Sequence, residues 1–475
     1  MEFVNNVNML TTADIISIYI DEFNVSKERK MMMKGERYYR SDNDIKERQI
    51  TRWENEEPVI DPTKPNNRLA HGFMHNLVDD KVNFLLTKPY TLSCEKEEYL
   101  NKVKELLGKR FQKRLSRLGT EASNKGIGWL YVYIDEVGKF KTKMIPSEQC
   151  IAIWTDNDHE ELEAMIRYYV VEVYEGKLKR YITKIEYYTP EGVSYYVKTD
   201  GGQIILDAER YLDASDDETI ELGHFTVGDK EESWGQVPFI PFKNNDFELP
   251  DLQFVKSLID NYDKSRSDIA NMLEEVKNVI FALRGYGGES LSDFMRDLSY
   301  YRAIKLDDDG GLDTVNPNID INAAKEHYET LKKDIYDFGQ GVDKSSDKLG
   351  NSPSGIALKF IYSGLDLKCN ALEEWFQWGF DKLIEFVDKY LEITGQGKYE
   401  ETIDIVFNRD IAINESQAIT DCQNSKGIIS DKTIIENHPW VKDTDTELKQ
   451  IEEENKSLED DMFPRNVGDD DGEEE

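Results

Sequence analysis

Apolar positions repeat along this chain with two different periods, and the change of period divides it. Ile15, Ile16, Tyr19, Ile20 and Phe23 fall at helical spacing, so residues 1–60 read as helices. Two prolines and two asparagines in 61–67 (DPTKPNN) predict a loop. A helix is expected from about Arg68 to Leu86, stopped by Lys88-Pro89, and another from about Lys96 to Asn124, stopped at Gly126 and Gly128. From Gly128 to Phe242 the texture becomes β-branched and aromatic, broken by Glu175-Gly176, Pro190-Glu191-Gly192 and Asp200-Gly201-Gly202. That pattern predicts a meander of short antiparallel strands, with 207–233 an acidic loop or hairpin tip. VPFIPFKNN, ending at Asn245, predicts an edge strand.

Helical period returns after Pro250. Leu252, Val255, Leu258, Ile259, Tyr262, Ile269, Met272, Leu273 and Val276 repeat every three or four residues, predicting a helix over 251–278 with more than one apolar stripe. A compact insert follows over 279–320: a strand (VIFAL), a glycine turn, a short helix, a strand (YRAIKL) and an Asp/Gly turn over 307–311. A second helix is expected at Ile321–Phe338, then a Gly-, Ser-, Asp- and Lys-rich loop over 339–355, then a long helix from about Ile356 to Ile393 and a strand (TIDIVFN). Beyond it, Asn414 and Ser430 predict helix N-caps, and Thr444 with Glu447 a capping box. The chain closes on an acidic tail, expected to be disordered from Gly468 onward. No internal repeat is apparent.

Composition narrows the function. With 59 Lys+Arg against 95 Asp+Glu in 475 residues, the net charge is −36. Such a chain repels a polyanion at long range, so any DNA contact has to be local, transient or weak. The apolar share of 39% is ample for packed cores. Cys94, Cys150, Cys369 and Cys422 form no CxxC, which suggests free thiols in a reducing compartment. The N-terminal stretch lacks a basic region and is interrupted by Asp14, unlike a signal peptide. No apolar run approaches the roughly 20 residues of a membrane span. The chain is therefore expected to be intracellular or assembled from intracellular material.

Candidate chemistry is sparse. His71, His75 and Asp79 are spaced i, i+4, i+8, the outline of a metal site, but HGFMH lacks the glutamate of a zinc protease and a structural role is expected. Asp307–Gly311 misses the calcium-loop register, and neither GxxxxGK[ST] nor GxSxG occurs. Asp404 is an isolated carboxylate. Nothing requires catalysis, a cofactor or a metal.

Two helices flanking a small insert must run antiparallel, and the 17-residue loop after them is longer than packing needs. In this order, PNNRLAHGFMHNLVDDKVNFLLTKP (65–89), QVPFIPFKNN (236–245), LQFVKSLIDNYDKSRSDIANMLEEV (252–276), SPSGIALKFIYSGLDLKCNALEEWF (352–376) and ISDKTIIENHPWVKDTDTELKQIEEE (429–454) resemble the portal proteins of tailed double-stranded DNA bacteriophages, siphovirus type. The resemblance is weakest in 1–50 and 130–235. It implies an α+β, multidomain, non-enzymatic subunit of a ring, usually a dodecamer, at one capsid vertex. The expected parts are a β-rich wing (1–250), stem helices (251–278 and 321–338), a small α/β clip (279–320) and a tunnel loop (339–355). A long helix with a wing strand (356–409), a helical crown (410–462) and the acidic tail (463–475) complete it. Implied partners are the chain itself, a terminase large subunit, head-completion or adaptor proteins, capsid and scaffolding proteins, and transient sequence-independent DNA, with no membrane.

Two sets of residues are expected to act. In the clip, Tyr286, Arg296, Tyr300, Tyr301 and Arg302 are of types enriched at interface hot spots, which suits motor docking. In the loop, Asp343, Lys344, Ser345, Ser346, Asp347 and Lys348 are expected to face DNA; Asp343, Lys344, Asp347 and Lys348 alternate sign in pairs, so each lysine can meet a phosphate while an aspartate weakens the hold. Gly339, Gly341 and Gly350 are expected to permit backbone motion. A helical scaffold or adaptor, and less readily a metal-dependent phage nuclease using Asp404, are the alternative readings.

Overall fold

The computed structural model describes residues 10–211, 221–228, 230–275, 280–284, 290, 292, 311–315, 321–345, 355–409, 415–441 and 444–462. They fall into two units. One comprises 1–343 with 364–410, the other 344–363 with 411–475.

The first unit opens with α1 (Thr12–Val25) and α2 (Lys27–Tyr39). Thr11 and Asp14 close a capping box on α1, and Ser26 accepts from the Arg29 amide to start α2. Ile16 and Ile20, one turn apart, lie buried against the sheet residues Ile151, Ile166, Ile185 and Tyr196. A hairpin of β1 (Thr51–Glu54) and β2 (Glu57–Ile60) follows where helix was expected, its turn made by Asn55 and Glu56 at positive φ. All eight strand residues are exposed.

The expected helix at 68–86 begins only at Phe73 (α3, Phe73–Leu86), because Asn67, Leu69 and His71 give their backbone amides to side chains elsewhere. The helix expected over 96–124 is two, α4 (Glu97–Leu107) and α5 (Phe111–Lys125). Gly108 at φ +67 ends the first, its amide bonding the Lys104 carbonyl. Gly126 ends α5 at φ +90, and a Cβ there would collide with the Glu248 carbonyl.

Two antiparallel sheets make the β-rich part. In the three-stranded one, β4 (Ile127–Ile134) lies between β13 (Phe239–Lys243) and β5 (Phe140–Ile145). The VPFIPF segment is thus an edge strand, as its prolines demand. The other is a meander of β6 (Cys150–Trp154), β7 (Leu162–Glu175), β8 (Leu178–Tyr188), β9 (Val193–Lys198) and β10 (Ile204–Leu206), each beside the next. Trp129, Ile145, Met165, Tyr188 and Phe239 bury between them. Shorter pairs are β3 (Thr91–Ser93) with β16 (Asp404–Val406), and β11 (Phe225–Val227) with β12 (Lys230–Glu232).

Three helices complete this unit: α6 (Leu252–Glu275), α7 (Ile321–Phe338) and the body of α8 (Gly355–Ile393). At 1.5 Å per residue α8 is a rod of about 58 Å. Its buried residues Leu365, Cys369, Leu372, Phe376, Phe380, Leu383, Val387 and Leu391 repeat every three or four positions, the pattern of one helix face. Of the insert, β14 (Ile280–Arg284) pairs antiparallel with β15 (Gly311–Val315). The second strand therefore includes 311–315, beyond the YRAIKL segment expected; 301–310 lie outside the described residues.

The second unit contains α9 (Glu415–Asn424), α10 (Asp431–Glu436) and α11 (Thr444–Met462). Ser430 accepts from the Thr433 amide to cap α10. Thr444 is already helical in α11, one position inside its expected place as cap. Asn414 and the acidic tail lie outside the described residues.

Candidate functional site

Helices α6 and α7 pack as an antiparallel pair. Tyr262 and Tyr328 meet edge-on, and Arg266 sits over the Tyr328 ring at 4.5 Å. Near the start of α6 and the end of α7, Phe73 contacts both Tyr262 and Tyr336. Leu331 and Ile335 bury on α7, and Leu252, Val255 and Ile259 on α6.

The first helix is further held along its length by polar contacts from 38–71. Tyr38 hydrogen-bonds Asp260, Arg48 pairs with Asp268, and Lys256 bridges Asp44 at 2.8 Å. Lys256 and burial together shift Asp44: burial pushes its carboxyl up, but the ammonium holds it below the ordinary value. Asp263, with no exposed surface, accepts from Asn43 Nδ2 at 2.6 Å, from the His71 amide at 3.1 Å, and faces His71 Nδ1 at 2.7 Å. Ser267 Oγ accepts from the Leu69 amide at 3.0 Å and Asn271 Oδ1 from the Asn67 amide at 2.7 Å. Residues 67, 69 and 71 thus bond 271, 267 and 263 in turn. Asp, Ser and Asn at four-residue spacing on an otherwise amphipathic helix was the sequence signal for this seam, and the sequence reading missed it.

His71 therefore precedes the helix and faces α6, whereas His75 pairs with Asp79 at 3.3 Å and packs against Tyr39 with the rings tilted by 49°. The three residues do not converge. Among the described residues no group of three His, Cys, Asp or Glu side chains could hold a metal ion, and no helix is long and apolar enough to cross a membrane. Asp404 is exposed on β16, opposite Ser93.

A buried ionic node gathers the start of α6 and the end of α7. Asp251, immediately before α6, lies between Lys81 of α3 at 2.7 Å and Lys368 of α8 at 3.0 Å. Asn244 donates to Asp251 at 2.9 Å and accepts from Lys81 at 2.6 Å. Lys368 also donates to the Gly339 carbonyl at 2.9 Å, just past the end of α7. Burial raises the Asp251 carboxyl, yet Lys368 and Lys81 outweigh it and hold it at about 2. Burial lowers Lys81 to about 8, with Asp251 opposing and Lys368 reinforcing the shift.

Of the loop residues named from sequence, Asp343, Lys344 and Ser345 are described; Ser346, Asp347 and Lys348 lie outside the described residues, as do Tyr286, Arg296, Tyr300, Tyr301 and Arg302. Asp343 is largely buried and pairs with Lys332 of α7 at 3.4 Å, so its charge is committed to the helix behind it. Lys344 is exposed and Ser345 half-buried.

The glycines also differ from expectation. Gly341 donates to the Tyr336 carbonyl at 2.9 Å and Gln340 to Asp337 at 3.3 Å, a Schellman ending in which Gln340 takes the left-handed position at φ +52. Gly339 and Gly341 instead press on Leu77, where a Cβ would come within 2.8 and 2.2 Å of its methyls. Close packing, not freedom of motion, explains those two. Gly350 lies outside the described residues.

Comparison with known proteins shows the family. The family model described as phage portal protein, SPP1 Gp6-like, matches residues 19–460. The portal protein of Bacillus phage SPP1 is 32% identical over 469 residues, covering 97% of this chain and 90% of that protein. The portal protein of Clostridium phage phiCD119 is 34% identical over 444 residues, covering 90% and 93%. Among solved structures, a chain in the neck of a native gene transfer agent particle, computed with C12 symmetry, matches at a TM-score of 0.38 and 12% identity, covering 76% of this chain and 88% of that one. With a family match over nearly its full length and two portal proteins at about a third identity, the chain belongs to the phage portal proteins, structural components of the capsid vertex of the virion.

Proposed function

We propose that copies of this chain form a closed ring, twelve in number, around a channel for DNA entering and leaving the capsid. Helices α6 and α7 are the stem, 279–320 the clip on which a terminase large subunit and later head-completion proteins dock, and 339–355 the tunnel loop. The wing (1–250 with much of 356–400) faces capsid and scaffolding proteins, and 410–462 is the crown.

One observation carries the reading. The antiparallel pair α6–α7 ends on one side in the antiparallel strands β14 and β15 and on the other in the node at Asp251 and Gly339. Such a rooted pair suits a stem that places an insert at one end and a loop at the other. Phe254, Met272 and Leu273 of α6 and Phe338 of α7 are exposed in the single chain, which suits further packing against neighbouring copies. A ring of twelve would carry roughly −430 charges, a wall that repels phosphate and keeps DNA mobile.

Negative-stain images of the purified protein test assembly: rings with a central hole are expected, and a stable monomer at high concentration ends the proposal. Cross-linking the loop to its stem through paired cysteines tests its role. Immobilised rings are expected to package poorly, and Lys344→Ala with Lys348→Ala more mildly so. Normal packaging by locked rings would remove the loop from the mechanism.

A further inference from the structure

The node at the root of α6 and α7 is unbalanced. It sets two ammonium groups, the buried Lys81 and the largely buried Lys368, against one buried carboxylate, Asp251. The other titratable group beside Lys81 is the Cys369 thiol, which burial pushes up to about 12 and so keeps neutral. A surplus buried cation is costly unless something negative faces it. What faces it is the Gly339 carbonyl, 2.9 Å from Lys368 Nζ, just past the negative end of the α7 dipole.

We propose that Lys368 is the positioning residue of the loop that follows α7: its ammonium, shared between Asp251 and the Gly339 carbonyl, latches the root of that loop to the start of α6. Three consequences of the geometry support this. The latch spans three helices, so the loop root cannot rise without parting a largely buried ammonium from its carbonyl partner. Its carbonyl belongs to the Schellman turn that sets the direction in which 341–345 leave the helix. Asp343 and Lys332 make a second fastening a few residues on, with Asp343 largely buried.

The inference rests on reading 339–355 as a working loop, but its test does not. Lys368→Met keeps most of the side-chain volume and leaves Lys81 and Asp251 as a one-to-one pair, so the fold should survive. Amide hydrogen exchange in assembled protein is measured at 340–345 and, as reference, in the central strand β4. A hydrogen bond to a charged group is worth enough that its loss should speed exchange at 340–345 roughly tenfold or more. Exchange in β4 should be unchanged. Lys368→Arg, which keeps the charge but moves its donors, should give a smaller increase. Should Lys368→Met not fold, Lys368→Gln is read at the same amides with the same expectation. Unchanged exchange at 340–345 in a folded neutral variant overturns the latch. Equal acceleration in β4 overturns it too, since that is general destabilisation. DNA packaging is scored separately: a loosened root with normal packaging leaves the latch standing and counts against the loop's action on DNA.

Discussion

Helices α6 and α7 lie side by side but are held by different forces. Against 38–71, α6 meets a seam of directional contacts: Tyr38, Asn43, Arg48, Asn67, Leu69 and His71 each bond a side chain on it. On α7 the buried groups are Leu331, Ile335 and Tyr336, and polar contacts through Lys332, Gly339 and Asp343 fasten its C-terminal part and the residues just beyond. Apolar contact rewards burial with little regard to register, whereas a buried hydrogen bond is costly when displaced. The first helix is therefore fixed by a polar seam along its length and the second by polar contacts at its root, which makes the loop end of α7 a place where a local change can act locally.

Breaking the polar seam should have the largest effect. Asp263→Ala strands the Asn43 amide and both His71 groups, and should cost about 3–5 kcal/mol in denaturant unfolding. Exchange should rise throughout 43–71. Ile335→Ala on the apolar side should cost about 2–5 kcal/mol as a cavity, without selective loosening of 43–71. If the two variants loosened the same amides, the contrast between the helices would collapse.

Acid sharpens the comparison at the node. Asp251 is held at about 2 against an ordinary 3.8, so its contribution is complete above 3.8 and is lost as pH falls through about 2. A shift of this size is worth about 2 kcal/mol. Stability measured against pH should show this loss in the wild type, and Asp251→Asn should flatten that part of the acid limb. The smallest expected effect is Gly341→Ala, which drives a methyl into Leu77 and should cost about 1–3 kcal/mol. Adding Leu77→Ala should relieve much of it. Independent, additive costs would show that the glycine serves some other end.

Much of the architecture was legible because it is periodic. The apolar repeat of α6 and the β-branched and aromatic runs broken by glycine turns through β6–β10 are local signals that the fold had no reason to override. The misses have physical causes. The hairpin β1–β2 is exposed throughout, so it leaves no core-facing pattern in TRWENEEPVI. The helix at 68–86 starts late because Asn67, Leu69 and His71 spend their amides on residues about 200 positions away. Gly339 and Gly341 looked like hinges because composition cannot distinguish a glycine chosen for freedom from one chosen for lack of a side chain. The node was illegible for the same reason: Lys81, Asp251 and Lys368 are distant in sequence, and each looks like a surface charge.

The bonding of 67, 69 and 71 to 271, 267 and 263 works like a vernier. An extended chain advances about 6.6 Å in two residues and a helix about 6 Å in four. The two scales nearly coincide over three rungs, and small polar side chains let a helix imitate a strand edge. One residue inserted between Asn67 and His71 would shift the scale by half a division and turn the amides to the opposite side. No sliding of α6 by whole turns restores the match, so the rungs on one side of the insertion must fail together. This short stretch should therefore accept changes of side chain far more readily than changes of length, since its bonds are made through the backbone.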